Sequence, residues 1–212
     1  MATEAGRCAL LVGATGLIGS ALLSELQQSG YRTVYVLARN PERVAPAANV
    51  TVYDFHSGLP ESAVVDDFYC ALGTTRKQAG SDGLRQVDKE LVVACARLAL
   101  QHGAHTASIV SAIGADPFSW FLYNRLKGEM EQQVEQLGFR HCLFWQPSIL
   151  LGQRQQNRGL ERLAGWLLSS ALFANYQALP GQQIARAMAI FSPRARPGVT
   201  RLRVKQIKQL SH

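Results

Sequence analysis

Cys8-Ala9-Leu10-Leu11-Val12 leads directly into Gly13-Ala14-Thr15-Gly16-Leu17-Ile18-Gly19, and a helical stretch follows from Ser20 to Gln28. An unbroken apolar run of this length reads as a strand covered on both faces. The three glycines then have separate tasks. The backbone turns sharply at Gly13, lets an anionic ligand approach at Gly16, and packs helix closely on strand at Gly19. The start of the helix directs its unpaired N–H groups at that ligand. The spacing is G-x-x-G-x-x-G rather than G-x-G-x-x-G, a variant of the dinucleotide fingerprint that gains its meaning from the strand–turn–helix setting. Against an ordinary Gly-rich loop, the reading is a nucleotide site, with Gly13, Thr15, Gly16, Leu17, Ile18 and Gly19 as candidate contacts.

The next apolar run, Thr33-Val34-Tyr35-Val36-Leu37-Ala38, ends at Arg39. A site for NAD places an acid at the end of this strand, to hold the ribose 2′-hydroxyl. No Asp or Glu lies between Glu25 and Glu42. Arg39 stands in the acid's place and can pair with a 2′-phosphate, with Arg43 as a second contact. The expected cofactor is therefore NADP(H).

The remaining chemistry-bearing residues narrow the function further. Four cysteines, Cys8, Cys70, Cys95 and Cys142, fall in apolar runs without C-x-x-C spacing and read as small buried residues. The histidines have no zinc-site spacing, so no metal is expected. The net charge of +7 invites a nucleic-acid reading, but six of the 22 basic residues (Arg194, Arg196, Arg201, Arg203, Lys205, Lys208) sit in an acid-free tail. The basicity belongs to that tail, read as a solvated terminal strand or helix, and nucleic acid is not an expected partner. No apolar run approaches the ~18 residues of a membrane span. Met1 to Arg7 lacks the pattern of a signal peptide, which makes the cytosol the expected compartment.

Apolar β-rich runs alternate with helical patterns, which predicts an α/β fold, a doubly wound parallel sheet with helices on both faces. Strands are predicted at 7–12, 33–38, 49–54, 66–72, 105–111 and 140–146. Helices are predicted at 17–29, 83–101 and 119–137, with a weaker one at 59–65. Leu84, Val87, Leu91, Ala94, Cys95 and Leu98 form the stripe of the second helix. Beyond Trp145, a polar stretch precedes an apolar helix at 160–173, a helix at 182–191 and a short strand at 199–204. These residues are too few for a domain of their own. The chain is read as a single domain, 1–212, with 150–212 forming a small C-terminal capping segment on the substrate side.

Ser111, Tyr123 and Lys127 are the candidate catalytic residues. Tyr123 and Lys127 are four apart in a helix and share a face. A neighbouring ammonium is expected to lower the phenol's pKa toward the working range of an acid/base catalyst. Ser111 ends a strand at the sheet edge, where its hydroxyl could hold a carbonyl oxygen. The pattern points to hydride transfer from NADPH to a small carbonyl compound, with Tyr123 as proton donor.

With these segments on the page, the chain resembles an atypical short-chain dehydrogenase/reductase over nearly its full length, and more narrowly the Tat-interacting oxidoreductase branch. The carrying segments are Gly13-Ala14-Thr15-Gly16, Cys70-Ala71-Leu72-Gly73-Thr74-Thr75-Arg76 and Ser111-Ala112-Ile113-Gly114-Ala115-Asp116. Phe121-Leu122-Tyr123-Asn124-Arg125-Leu126-Lys127-Gly128-Glu129 and Pro147-Ser148-Ile149-Leu150-Leu151 complete them. The resemblance implies a Rossmann fold binding NADP(H), with Ala71, Leu72 and Gly73 lining the end of the fourth strand. It also implies that Asp54 lies near the adenine, that Pro147 to Leu150, Pro147 and Ile149 among them, pass the nicotinamide, and that Lys127 holds the nicotinamide ribose.

Two features depart from the superfamily pattern. Its frequent catalytic Asn has no counterpart, since Ser81 to Gln101 contains none, and Asp88 and Gln86 are the nearest polar residues. The C-terminal part is short beside relatives that hold sugar nucleotides. Both features keep open a second reading, a cofactor-sensing binding protein whose basic tail or 160–173 helix meets a protein partner.

Overall fold

Strand β1 (Cys8–Val12) is buried along its whole length, as five consecutive apolar residues require. The computed structural model describes residues 6–74, 76–148, 150–151 and 179–211. After β1 come α1 (Leu17–Gln28), β2 (Thr33–Ala38), β3 (Val50–Asp54) and β4 (Asp67–Cys70). Helix α2 (Arg76–Arg85) is broken where Gly80 takes a left-handed φ of 68°. A π-helical turn, Gln86–Glu90, joins it to α3 (Leu91–Gln101). Then follow β5 (Thr106–Val110), α4 (Leu122–Glu135) and β6 (His141–Gln146). The two-residue strands β7 (Leu150–Leu151) and β8 (Leu179–Pro180) pair with each other. The described chain ends with α5 (Gly181–Phe191), β9 (Gly198–Arg203) and α6 (Val204–Leu210).

The main sheet has seven parallel strands in the order β3-β2-β1-β4-β5-β6-β9. Its strand order reverses direction between β1 and β4, and ligands of such sheets bind beyond the carboxyl ends of the strands at that point. Gly13 and Ala71 occupy those two ends. Alternate residues of each central strand feed two apolar cores. One joins Leu11, Val34 and Trp145 to α1, α5 and α6; the other joins Leu10, Phe68 and Ile109 to α3 and α4. Burying each large aliphatic side chain contributes about 1.5–3 kcal/mol. All four cysteines are buried free thiols.

Three expectations change. The 59–65 helix does not form: Pro60 accepts a turn hydrogen bond from Ala63 N–H, and Val65 N–H is taken by His102 C=O, which fixes the segment as a loop. The 83–101 helix is interrupted by the π turn. Helix α4 starts at Leu122 rather than 119, because Asp116 Oδ1 accepts from Phe118 N–H and Ser119 Oγ from Phe121 N–H, holding the approach as turns. The basic tail is, as expected, a terminal strand and helix whose basic side chains are mostly exposed; β9 pairs with β6 from His141↔Gly198 to Gln146↔Arg203. There Arg201 reaches Glu131 (2.8 Å) and Glu135 (2.9 Å) on α4. Within the predicted cap, α5 packs against α1. The predicted helix at 160–173 lies outside the described residues.

Candidate functional site

Two of the three glycines in the first turn are required by the fold itself. A Cβ on Gly13, whose φ is 88°, would sit 2.7–2.9 Å from the backbone of Ala71 and Leu72. One on Gly19 would run into the Gly13 carbonyl oxygen. Gly16 is different. Its backbone is ordinary (φ −81°, ψ 171°), and the nearest atom to an added Cβ is the Gly13 oxygen at 3.4 Å. The fold therefore has no steric need of a glycine at position 16, whose open face leaves room for a ligand to approach. Among the described residues no side chain caps the start of helix α1, so its leading N–H groups are available to an anion. The turn and the open face at Gly16 fit a pyrophosphate. Leu17 is half-exposed beside Gly181, whereas Ile18 is buried in the core and contributes through its backbone.

Beside the turn is a cavity of about 200 Å³ lined by Val12, Gly13, Ala14, Thr15, Leu37, Ala38, Arg39, Asn40, Arg43, Phe55, Leu72 and Leu91. It contains both predicted arginines and no acid. Asp54 is not among its lining residues; its carboxylate accepts the His56 N–H at 2.8 Å and caps a turn, while Phe55 faces the cavity. Sequence reasoning missed Asn40, Phe55 and Leu91, and the polar–aromatic pattern around them had no spacing that would have marked them. Arg39→Ala is expected to reduce the preference for NADPH over NADH by ~1.5–3 kcal/mol. Calorimetry with both cofactors checks this, and an unchanged preference would remove Arg39 from the site.

Across the carboxyl edge of the sheet, α4 presents Tyr123, Lys127 and Glu131 on one stripe, four residues apart. Lys127 is fully buried, and its Nζ lies 2.8 Å from Asp88 Oδ1, 3.4 Å from Val110 C=O and 6.0 Å from the centre of the Tyr123 ring. Asp88 belongs to the π turn and is also completely buried. Its second oxygen, Oδ2, accepts the Thr74 N–H at 2.9 Å. Asp88 was legible as a polar residue near the site, but its pairing with Lys127 was not.

Tyr123 departs from the sequence expectation. Partial burial pushes its phenol above the ordinary tyrosine range; the Lys127 ammonium pulls it down, and the Asp88 carboxylate pushes it up again. The outcome is upward because burial outweighs the pull of the Lys127 ammonium, and Asp88 adds a smaller push in the same direction. Lys127 itself is drawn downward by burial, but Tyr123 and Asp88 outweigh that and hold it above its usual range.

Ser111 does not join this pair. Its hydroxyl donates to Glu131 Oε1 at 2.5 Å, and that carboxylate also accepts from Gln146 Nε2 (2.9 Å) and Arg201 Nε (2.8 Å). The Ser111 proton is thus committed to a buried network one turn along α4. Ser111→Ala is expected to lower any turnover by less than ~10-fold. The same change should destabilise the fold by ~1–3 kcal/mol in denaturant melts, because buried Glu131 loses a donor. A hundredfold loss of rate with unchanged stability would return Ser111 to the reacting centre.

The other predicted contacts divide. Ala71 donates its N–H to Val12 C=O and places its carbonyl against Gly13; Leu72 lines the cavity. Gly73 faces Asp88, and Pro147 is buried with its carbonyl accepting Ile113 N–H. Ile149 lies outside the described residues. In the loop leading into α4, Phe118, Trp120 and Phe121 are 87%, 96% and 76% exposed, an apolar display that no sequence periodicity singled out.

Comparison with known proteins agrees with this geometry. A model of NAD(P)H-binding proteins matches residues 13–140. The chain is 34% identical to Protein HTATIP2 of Rattus norvegicus, across 95% of this chain and 87% of the relative. It is 36% identical to Protein FMP52, mitochondrial, of Eremothecium gossypii, across 83% and 82%. Among solved structures it superposes on human epimerase family protein SDR39U1 with NADPH at a TM-score of 0.62, with 15% identity over 92% of this chain and 73% of that one. The mitochondrial relative corrects the cytosolic expectation, which had rested only on the lack of a signal-peptide pattern. No helix among the described residues is long and apolar enough to cross a membrane.

Proposed function

The chain belongs to the NAD(P)H-binding family, with Protein HTATIP2 among its relatives, and from that premise we propose that it is an atypical short-chain dehydrogenase/reductase that reduces a small carbonyl compound with NADPH. The observation that carries this reading is the half-exposed Tyr123 lying over the buried Lys127 ammonium, 6.0 Å from ring centre to Nζ. The Gly13–Gly16 turn and the start of α1 would hold the pyrophosphate, and Arg39 with Arg43 the 2′-phosphate. Lys127 would meet the nicotinamide ribose, and Leu72 and Pro147 would bound the ring. The bound nicotinamide supplies the hydride.

Tyr123 keeps its proton at neutral pH, because burial and Asp88 hold the phenol up. It gives that proton to the carbonyl oxygen as the carbon takes the hydride. The phenolate left behind faces Lys127 and, being half-exposed, recovers a proton from water. A tyrosine resting in its neutral form favours reduction, since the reverse reaction must begin from phenolate. Deuterium at the transferred position of NADPH is expected in the alcohol product by mass spectrometry. An unlabelled alcohol would point to another hydride source.

One observation favours the second reading, an NADP(H)-sensing protein with little turnover and a protein partner. Lys127 and Ser111 are both already engaged by carboxylates, Asp88 and Glu131. Tight NADPH binding without oxidation by any carbonyl would select it.

A further inference from the structure

We propose that Asp88 is a positioning residue of this site: its one buried carboxylate fixes the Lys127 ammonium and locks the loop after β4 to it. The proposal rests on the reading of Tyr123 and Lys127 as the reacting centre and adds the residue that sets their geometry. Both members of the Asp88–Lys127 pair are buried, and their 2.8 Å separation is that of a direct charge pair. Among the described residues Asp88 Oδ1 has no hydrogen-bond partner besides this contact, while Oδ2 accepts the Thr74 N–H at 2.9 Å. That N–H belongs to the segment Ala71–Thr74, whose Leu72 lines the cavity beside the glycine turn. The carboxylate thus spans the two walls of the site, the β4 end and α4.

The placement depends on the π turn. Inserting Gln86–Glu90 between α2 and α3 shifts the helical register by one residue and points Asp88 inward, where it is the buried residue of that turn. Removing one member of a buried ion pair leaves the other charged in a dry environment. With Asp88 neutral, burial acts on Lys127 opposed, among the described residues, by Tyr123 on its own helix and Cys70 on β4, whose thiol burial pushes up to about 11 and keeps neutral. The ammonium then has no full counter-charge, and its hold on the ribose side of the site loosens.

The test needs no cofactor. The chain has five lysines, Lys77, Lys89, Lys127, Lys205 and Lys208. Carbon-13 NMR at the lysine Cε, with Lys127 assigned from Lys127→Arg, follows its protonation directly. In the wild-type protein the Lys127 resonance is expected to stay that of an ammonium up to about pH 10. In Asp88→Asn its midpoint should fall by at least about 1.5 pH units, while Asp88→Glu, which keeps the charge, should restore it. In NADPH assays of the same variants, kcat should fall at least ~10-fold in Asp88→Asn and recover in part in Asp88→Glu.

An unmoved Lys127 midpoint in Asp88→Asn would overturn the proposal, as would a wild-type Lys127 that already titrates below about pH 9. The wild-type measurement decides even if the Asn variant does not fold. A shifted midpoint in a protein that reduces nothing would leave Asp88's role standing and remove the reductase reading. An unmoved midpoint alongside a Tyr123-dependent reaction would do the reverse.

Discussion

Tyr123→Phe is expected to lower carbonyl reduction by ~10²–10⁴, because it removes the only atom on that ring that can give up a proton and leaves its packing intact. NADPH affinity should hold within about threefold, since the change concerns the chemical step. Lys127→Ala should instead weaken both binding and turnover, and should also leave Asp88 buried without its partner. The rate of reduction by the wild-type protein should be flat from about pH 6 to 9 and fall only above that, as the raised phenol finally loses its proton. A rate that rises through neutral pH would mean that the active form is the phenolate. Equal rates in wild type and Tyr123→Phe would remove the proton donor altogether.

The second large effect is expected at Gly16. A Cβ there meets no backbone atom closer than the 3.4 Å of its own turn, and no left-handed φ stands in its way. The circular dichroism spectrum and melting midpoint should therefore stay close to wild type. The side chain would occupy the space a pyrophosphate needs, and NADPH affinity should drop at least ~100-fold, about 2.7 kcal/mol. The contrast is with Gly19→Ala, where the methyl collides with the Gly13 carbonyl and the cost falls on folding itself. If Gly16→Val binds NADPH as the wild type does, the turn serves structure alone.

What the sequence could and could not disclose follows from the range of the interactions involved. The β1–turn–α1 unit, the six strands through His141–Gln146 and the helical pairing of Tyr123 with Lys127 depend on local spacing, and they are found as read. Arg39 and Arg43 share a cavity because each lies within a few residues of the end of β2. The failures are long-range. Ser111 turns to Glu131, twenty residues on, through a partner set completed by Arg201 from the last strand. Nothing near Ser111 in sequence announces that. The tail's basic residues are mostly solvated as read, but the strand partner of β9, β6, lies more than fifty residues upstream and could not be named from the sequence. The phenol's upward shift comes mainly from burial, which only the tertiary packing sets, with a smaller push from Asp88, turned inward by the π turn rather than by the regular helical stripe.

The Asp88 and Ser111 contacts also sharpen the choice between the two readings. Both place carboxylates on groups that a simple reading would leave free for substrate. A reductase built this way works through a neutral tyrosine and a charge-compensated lysine; a sensor built this way only needs the cofactor cavity. The measurement that separates them is NADPH absorbance followed with the wild-type protein over a broad panel of small aldehydes and ketones. The account predicts steady NADPH oxidation with at least one of them. NADPH bound tightly but left unoxidised by every member of the panel would contradict it.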